Sequence, residues 1–412
     1  VYVYGSFVQS RMYRAGVSCS DCHNPHSGEF HTGSTPSDVC AQCHLPAKFA
    51  SKEHSHHELS DASCVDCHMT SRTYMGVDDR RDHSFRVPRP DLTVSIETPN
   101  ACNACHSEES PAWAASVVAE WAGADSLPRP NIGTVIAAGR SAPANAELSR
   151  ASMNHAYASI GRATALTLLA PPFDGRAITA IENALSDADP LMRIAALRAL
   201  QLAPAELRLR IGAQALADPV LGVRLAAAPV YAELRDLLPA AEARAFGVAA
   251  EEYRASHRML ANTPEALASL GNFELSMGDV DQAVNLFRRS LKLAPDNALL
   301  RHSMGLVLVR SGERDDALAE LRRAYELEPS NPRYVYVYGV ALNSLGLHVD
   351  ALTLLRDARQ QFPADFNISW AVATMLRDAG EIDAARDVAD ELAAQFPDDR
   401  NVVTLRQSLG TE

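Results

Sequence analysis

The pattern of apolar and polar positions changes along the chain. Beyond residue 145 the composition shifts to Ala, Leu and Arg, and similar stretches return at fixed intervals. Arg162-Ala163-Thr164-Ala165-Leu166, Arg193-Ile194-Ala195-Ala196-Leu197 and Arg224-Leu225-Ala226-Ala227-Ala228 stand 31 residues apart, and Leu185 and Asp187 recur as Leu216 and Asp218. Small residues on one helix face let a neighbouring helix pair pack closely, which is how an α-solenoid grows. In the last third the period becomes 34: Pro295, Pro329, Pro363 and Pro397; Gly278, Gly312, Gly346 and Gly380; Ala283, Ala317, Ala351 and Ala385. Gly271, Gly305 and Gly339 repeat as well, with Ala373 in the fourth unit. This pattern predicts two helices per repeat, small residues where they cross, and a proline closing the second helix.

The 34-residue period is that of tetratricopeptide repeats, and the 31-residue one resembles short HEAT-like repeats. Before residue 126 no comparable apolar pattern exists. The expected division is therefore 1–125 as a loop-rich cofactor domain, 126–145 as a Pro- and Gly-bearing linker, 146–248 as a HEAT-like solenoid and 249–412 as four tetratricopeptide repeats.

Composition changes the picture chiefly through cysteine. All 8 Cys fall into four copies of one pattern: Cys19-Ser20-Asp21-Cys22-His23, Cys40-Ala41-Gln42-Cys43-His44, Cys64-Val65-Asp66-Cys67-His68 and Cys102-Asn103-Ala104-Cys105-His106. Two thiols three positions apart can add to the two vinyl groups of one haem, and the adjacent His then sits under the iron as proximal ligand. Structural zinc would need no His after each second Cys. A disulfide framework prefers small secreted domains without that His, and a thioredoxin-like pair would need a βαβ setting. The reading is four covalently attached c-type haems, whose bulk replaces an apolar core in residues 1–125.

A sixth ligand decides whether a haem only carries electrons or also binds substrate. Spare histidines are His26, His31, His54, His56, His57, His83 and His155. Seven for four positions suffice for a bis-His set. His26 lies three residues after His23 and is expected to reach a neighbouring haem. In Glu53-His54-Ser55-His56-His57, His54 and His57 share a face if helical. His83 and His155 complete the expected distal set; an adventitious metal cluster at 54–57 and a surface role for His155 are the alternatives. His155 is expected to open the first HEAT-like helix. Met12, Met69 and Met75 are further axial candidates, with packing as the default for Met69. Arg72, Arg80, Arg81, Arg86 and Arg89 crowd one segment; a guanidinium fork matches a haem propionate, against the alternative of a solvated basic loop.

The stretch from Gly5-Ser6-Phe7 through Arg11-Met12-Tyr13-Arg14 to Cys19, then Asn24-Pro25-His26-Ser27-Gly28, Cys67-His68-Met69 and Tyr74-Met75, resembles bacterial multihaem c-type cytochromes with HEAT and tetratricopeptide repeats after the haem domain. The haem region is similar to that of the cytochrome c-554 and nitrite-reductase-like group. That group carries further haem motifs upstream, so a chain beginning at Val1 is expected to be processed or a portion of a longer one. Its catalytic pentahaem reductases replace one motif His with Lys; four intact His here point instead to electron transfer.

The expected activity is electron transfer through closely spaced haems. The solenoid would dock redox partners or further copies of the chain, the latter as an extracellular filament. The alternative is a periplasmic reductase or oxidase of a small nitrogen or sulfur compound with one open haem. Covalent haem attachment occurs outside the cytoplasmic membrane, so an exported protein is expected, periplasmic or extracellular. With 38 Lys+Arg against 51 Asp+Glu, a net charge of -13 leaves no basic face for nucleic acid. No run of eighteen apolar residues occurs, so no transmembrane segment is expected.

Overall fold

The structure, a computed structural model, describes residues 2–33, 35–58, 61–122, 131–142 and 144–410. The fold is mainly α-helical, with one two-stranded sheet among the described residues. Two compact units make up the chain: Val1–Val230 with Leu238–Glu242, and Tyr231–Leu237 with Ala243–Glu412.

In the first unit, residues up to 106 form short helices joined by loops. Their single interruption is an antiparallel hairpin of β1 (Ser71–Tyr74) and β2 (Asp78–Arg81), with Ser71 opposite Arg81 and Arg72 opposite Arg80. The hairpin returns the chain alongside its start: the Asp82 amide donates to Thr70 O and the Arg86 amide to His68 O, both at 3.0 Å. Helix Pro111–Ala122 follows.

The expected linker is corrected in part. Its positions 126–130 lie outside the described residues, but Ile132–Ser141 is a helix. Asn131 caps it, its side chain accepting from the Gly133 amide at 2.7 Å. Gly139, a loop signal in sequence, serves close packing: a Cβ there would approach Leu148 Cδ2 to 2.9 Å.

The 31-residue period appears as an arginine–aspartate ladder. Arg162 donates to Asp187 Oδ2 at 3.0 Å, and Arg193 donates through two nitrogens to Asp218, at 2.8 and 3.0 Å. The next arginine in each case also caps the preceding aspartate's backbone: Arg193 Nη1 reaches Asp187 O at 2.8 Å and Arg224 Nη1 reaches Asp218 O at 2.7 Å. Each aspartate meanwhile accepts from an amide two residues on, Asp189 N or Val220 N, and so shapes the turn before the next helix. His155 lies exposed in the turn between helices Asn145–Met153 and Ser159–Thr167, not at the opening of the second, because its backbone belongs to the turn bonded by Tyr157 N to Asn154 O.

The second unit stacks helix pairs at the 34-residue period: Pro264–Ser276 with Val280–Leu293, Ala298–Ser311 with Arg314–Leu327, Pro332–Ser344 with His348–Gln361, and Phe366–Asp378 with Ile382–Gln395; Arg400–Gly410 closes the stack. The repeated glycines explain the crossing. A Cβ at Gly305 would stand 2.6 Å from Leu321 Cγ, and one at Gly339 equally close to Leu355. Gly312, with φ +83°, supplies the left-handed cap that ends the first helix of its pair. Helix Ala240–Met259 lies almost wholly in this unit, past the expected boundary at 248/249. Tyr253 packs 4.6 Å from Phe273, and Arg254 is paired with Glu274 at 2.8 Å.

Candidate haem-binding site

Each motif is wound into a single helical turn. The His23, His44 and His106 amides donate to the carbonyls of Cys19, Cys40 and Cys102, each at 2.9 Å, while the third motif forms helix Cys64–His68. One turn puts both cysteines and the following His on a common side. Local sequence imposes this: Ser18 and Asp21 make a capping box around the first motif and Ser63 and Asp66 around the third. Thr35 and Asp38 cap the helix Pro36–Cys40 that leads into the second.

None of the eight cysteines is in a disulfide. Burial pushes the thiols of Cys22, Cys67 and Cys102 up, and that of Cys40 up to about 11. Among the described residues no cluster of three or more His, Cys, Asp or Glu is gathered as a metal chelate. Smaller electrostatic effects reach between successive motifs, from Cys43 to Cys22, from Cys64 to Cys40 and from Cys102 to Cys67, so the motifs neighbour one another in chain order.

Three of the four motif imidazoles face a spare one. Ring centroids lie 6.4 Å apart for His23 and His83, 6.0 Å for His54 and His68, and 6.0 Å for His57 and His106, with interplanar angles of 34°, 17° and 49°. A metal–imidazole bond of about 2 Å on each side, with each ring centre roughly 1 Å further out, separates two axial rings by about 6 Å. All three pairs meet that spacing.

The ring nitrogens agree with it. Nδ1 lies against a backbone carbonyl in four of these rings: His23 on Gly28 at 3.0 Å, His57 on Ser55 at 2.7 Å, His68 on Arg86 at 2.8 Å and His83 on Arg81 at 2.9 Å. A carbonyl only accepts, so Nδ1 carries the proton and the lone pair sits on Nε2, as a metal ligand requires. Burial, first of all, lowers the pKa of His54 below its ordinary value. These residues fit an axially ligated haem iron.

The other spare histidines lie differently. His31 places Nε2, not Nδ1, 2.7 Å from Ser20 O. His56 is in a left-handed conformation and stacks flat on Trp121 at 4.0 Å. His26 and His155 are exposed. Among the described ring contacts His44 meets Phe49, at 5.3 Å, and no second imidazole. Four of the five candidate propionate arginines are paired with Asp: Arg80 with Asp78, Arg81 with Asp66, Arg86 with Asp82 and Arg89 with Asp91. Arg72 stands opposite Arg80 on the hairpin. Arginine count in sequence does not reveal that the interleaved aspartates take these guanidinium groups.

Aromatic residues against the imidazoles carried no sequence signal. Phe30 lies 5.1 Å from His23, Phe85 5.9 Å from His83, Trp113 5.1 Å from His106, and Phe49 5.3 Å from both His44 and His54.

Comparison with known proteins follows the same division. Residues 12–49, which hold the first two motifs, match the doubled CXXCH motif family. Tetratricopeptide repeat families match residues 264–297, 302–366 and 342–409. An alignment 122 positions long, covering 26% of this chain and 32% of the other protein, is 25% identical to Multiheme cytochrome MtrA of Shewanella baltica (strain OS185). Among solved structures, YrrB, described as a TPR protein with an unusual peptide-binding site, is 20% identical, with a TM-score of 0.33 over 48% of this chain and all of its own. MamA is 18% identical with a TM-score of 0.31, over 39% of this chain and 88% of its own. The motifs and the repeats together support a multihaem c-type cytochrome with C-terminal tetratricopeptide repeats. The doubled CXXCH motif is of the kind that attaches c-type haem. Among the described residues no helix is long and apolar enough to cross a membrane.

Proposed function

We propose that the chain carries electrons through four haems, attached at Cys19/Cys22, Cys40/Cys43, Cys64/Cys67 and Cys102/Cys105, with His23, His44, His68 and His106 as proximal ligands. His83 would be the distal ligand opposite His23, His54 opposite His68 and His57 opposite His106. The observation that carries this is the recurrence of one imidazole spacing, 6.0 to 6.4 Å, at three motifs. When bound, the haem irons supply the one-electron chemistry. The chain's own residues orient the imidazoles, keep Nε2 deprotonated and hold successive motifs close together. The sixth ligand at the second haem would come from outside the three pairs, with His26 and His155 as the remaining candidates.

Covalent attachment implies function outside the cytoplasmic membrane, in the periplasm or beyond the cell. The HEAT-like and tetratricopeptide segments would act as scaffold for docking redox partners or further copies of the chain, since such repeats offer extended surfaces for protein contacts.

Haem-stained mass and pyridine haemochrome spectra of the purified protein test the count, and EPR with added cyanide or carbon monoxide tests the ligation. Four low-spin haems, at least three of which refuse the added ligand, are expected. High-spin iron at three or more haems would overturn the assignment, and ligand binding confined to one haem would favour reductase or oxidase chemistry at the His44 iron.

A further inference from the structure

We infer that Phe49 is a positioning residue shared by two haem centres, the one held through His44 and the one held between His54 and His68. The inference rests on the ligation proposed above. Phe49 lies 5.3 Å from the His44 ring at 88° and 5.3 Å from the His54 ring at 88°. These imidazoles serve different motifs: His44 ends the second, and His54 faces the proximal His of the third. Perpendicular ring contacts are favoured by the quadrupoles of the two rings, and rotating either ring loses the contact.

The contrast with the other centres sharpens the point. His23 has Phe30, His83 has Phe85, and His106 has Trp113. His44 and His54 have one ring in common. Phe49 is itself held in place, as the last residue of helix Pro46–Phe49, with its amide on Leu45 O at 3.0 Å and the Lys48 ammonium 5.2 Å over its ring. It is therefore a fixed strut between axial ligands of neighbouring irons, and it sets the rotational angle of both rings.

That angle governs how an imidazole nitrogen overlaps with the iron d orbitals, so it is read directly in the low-spin EPR signal and in the midpoint potential. The test is an EPR-monitored redox titration of the full chain carrying Phe49→Leu, which keeps apolar bulk without a ring, with Phe49→Tyr as the conservative variant. In Phe49→Leu two of the haem signals are expected to shift in g value or potential while the others stay, and Phe49→Tyr is expected to restore them. A His54→Ala variant identifies the third centre among the shifted signals. Unchanged signals, a shift of only one, or a uniform shift of all would overturn the inference. The haem count and the cyanide test on the unsubstituted protein separate the two levels: if these fail, the ligation is wrong, and if they hold while Phe49→Leu is silent, only the role of Phe49 falls.

Discussion

The imidazole rings of His54 and His68 face each other across 6.0 Å and lie within 17° of parallel. The two residues come from separate short helices, Lys52–Ser55 and Cys64–His68. Near-parallel axial rings give a rhombic low-spin iron, so this centre is expected to show the most rhombic EPR signal of the set, and the His57–His106 centre, with rings crossed by 49°, a more axial one. Replacing His54 with Ala is expected to open this iron alone, giving high-spin character and carbon monoxide binding at one haem. His54→Met is expected to keep it low-spin at a raised potential.

The ladder between Arg193 and Asp218 is nearly buried, with the side chains 13% and 9% exposed. Burial pushes the Asp218 carboxyl up, but the Arg193 guanidinium and the Val220 amide outweigh it and hold the group below the usual carboxylate range. Removing one partner strands a buried charge, so Arg193→Ala is expected to cost about 3 kcal/mol, read by urea unfolding. Because the folded pKa is depressed, the pair's contribution is present above the unfolded carboxylate pKa and is lost as pH falls through the folded one. The gap between Arg193→Ala and the unsubstituted protein should therefore close in acid.

Gly305 tests the helix crossing of the 34-residue repeats. Its absent side chain lets Leu321 in, and an added methyl would fall 2.6 Å from Leu321 Cγ and 3.2 Å from the Ala317 carbonyl. Gly305→Ala is expected to destabilise the second unit by about 1–3 kcal/mol through overpacking, visible as a lowered Tm in circular dichroism. Gly247→Ala, in the interior of helix Ala240–Met259 with nothing within 4 Å of the added methyl, is the control and should hold or raise Tm, Ala being better than Gly there by about 0.5–1 kcal/mol.

His302 is a buried titratable group in the same unit, 3% exposed. Its Nε2 accepts from Arg333 Nε at 3.3 Å, and the Tyr334 ring lies against its ring at 4.9 Å, tilted by 35°. Burial, then the Arg333 charge, lowers its pKa below 6.5, so the folded chain holds it neutral. The unfolded chain protonates first as pH falls, which makes stability decline from about pH 6.5 downward until the folded pKa is reached. His302→Phe is expected to flatten the pH dependence of Tm in that window; an undiminished slope would assign it to other groups.

Several features were legible because their causes are local. Cys19, Cys22 and His23 belong to one turn of chain, so their spacing alone was enough to read a haem-attachment motif. The 31- and 34-residue periods record contacts that recur with each repeat, such as Arg162 on Asp187 and then Arg193 on Asp218. Where local signals misled, packing was the reason: Gly133 and Gly139, read as linker, lie in a helix, Gly139 because Leu148 needs the room.

The sequence by itself determined the four CxxCH motifs, each wound into one turn, and the helical repeats that follow, since each depends on residues close together in the chain. Tertiary structure alone decided which spare imidazole stands opposite which motif. His83, just past the β1–β2 hairpin, meets His23 from 60 residues away in the chain, and His57 meets His106 across an intervening segment that includes the third motif. Axial pairing depends on where distant segments come to lie, and no spacing along the chain encodes that distance. Phe49 differs, since it stands five residues from each of His44 and His54 and its two perpendicular contacts are local; only the facing of His54 and His68 brings in the third motif.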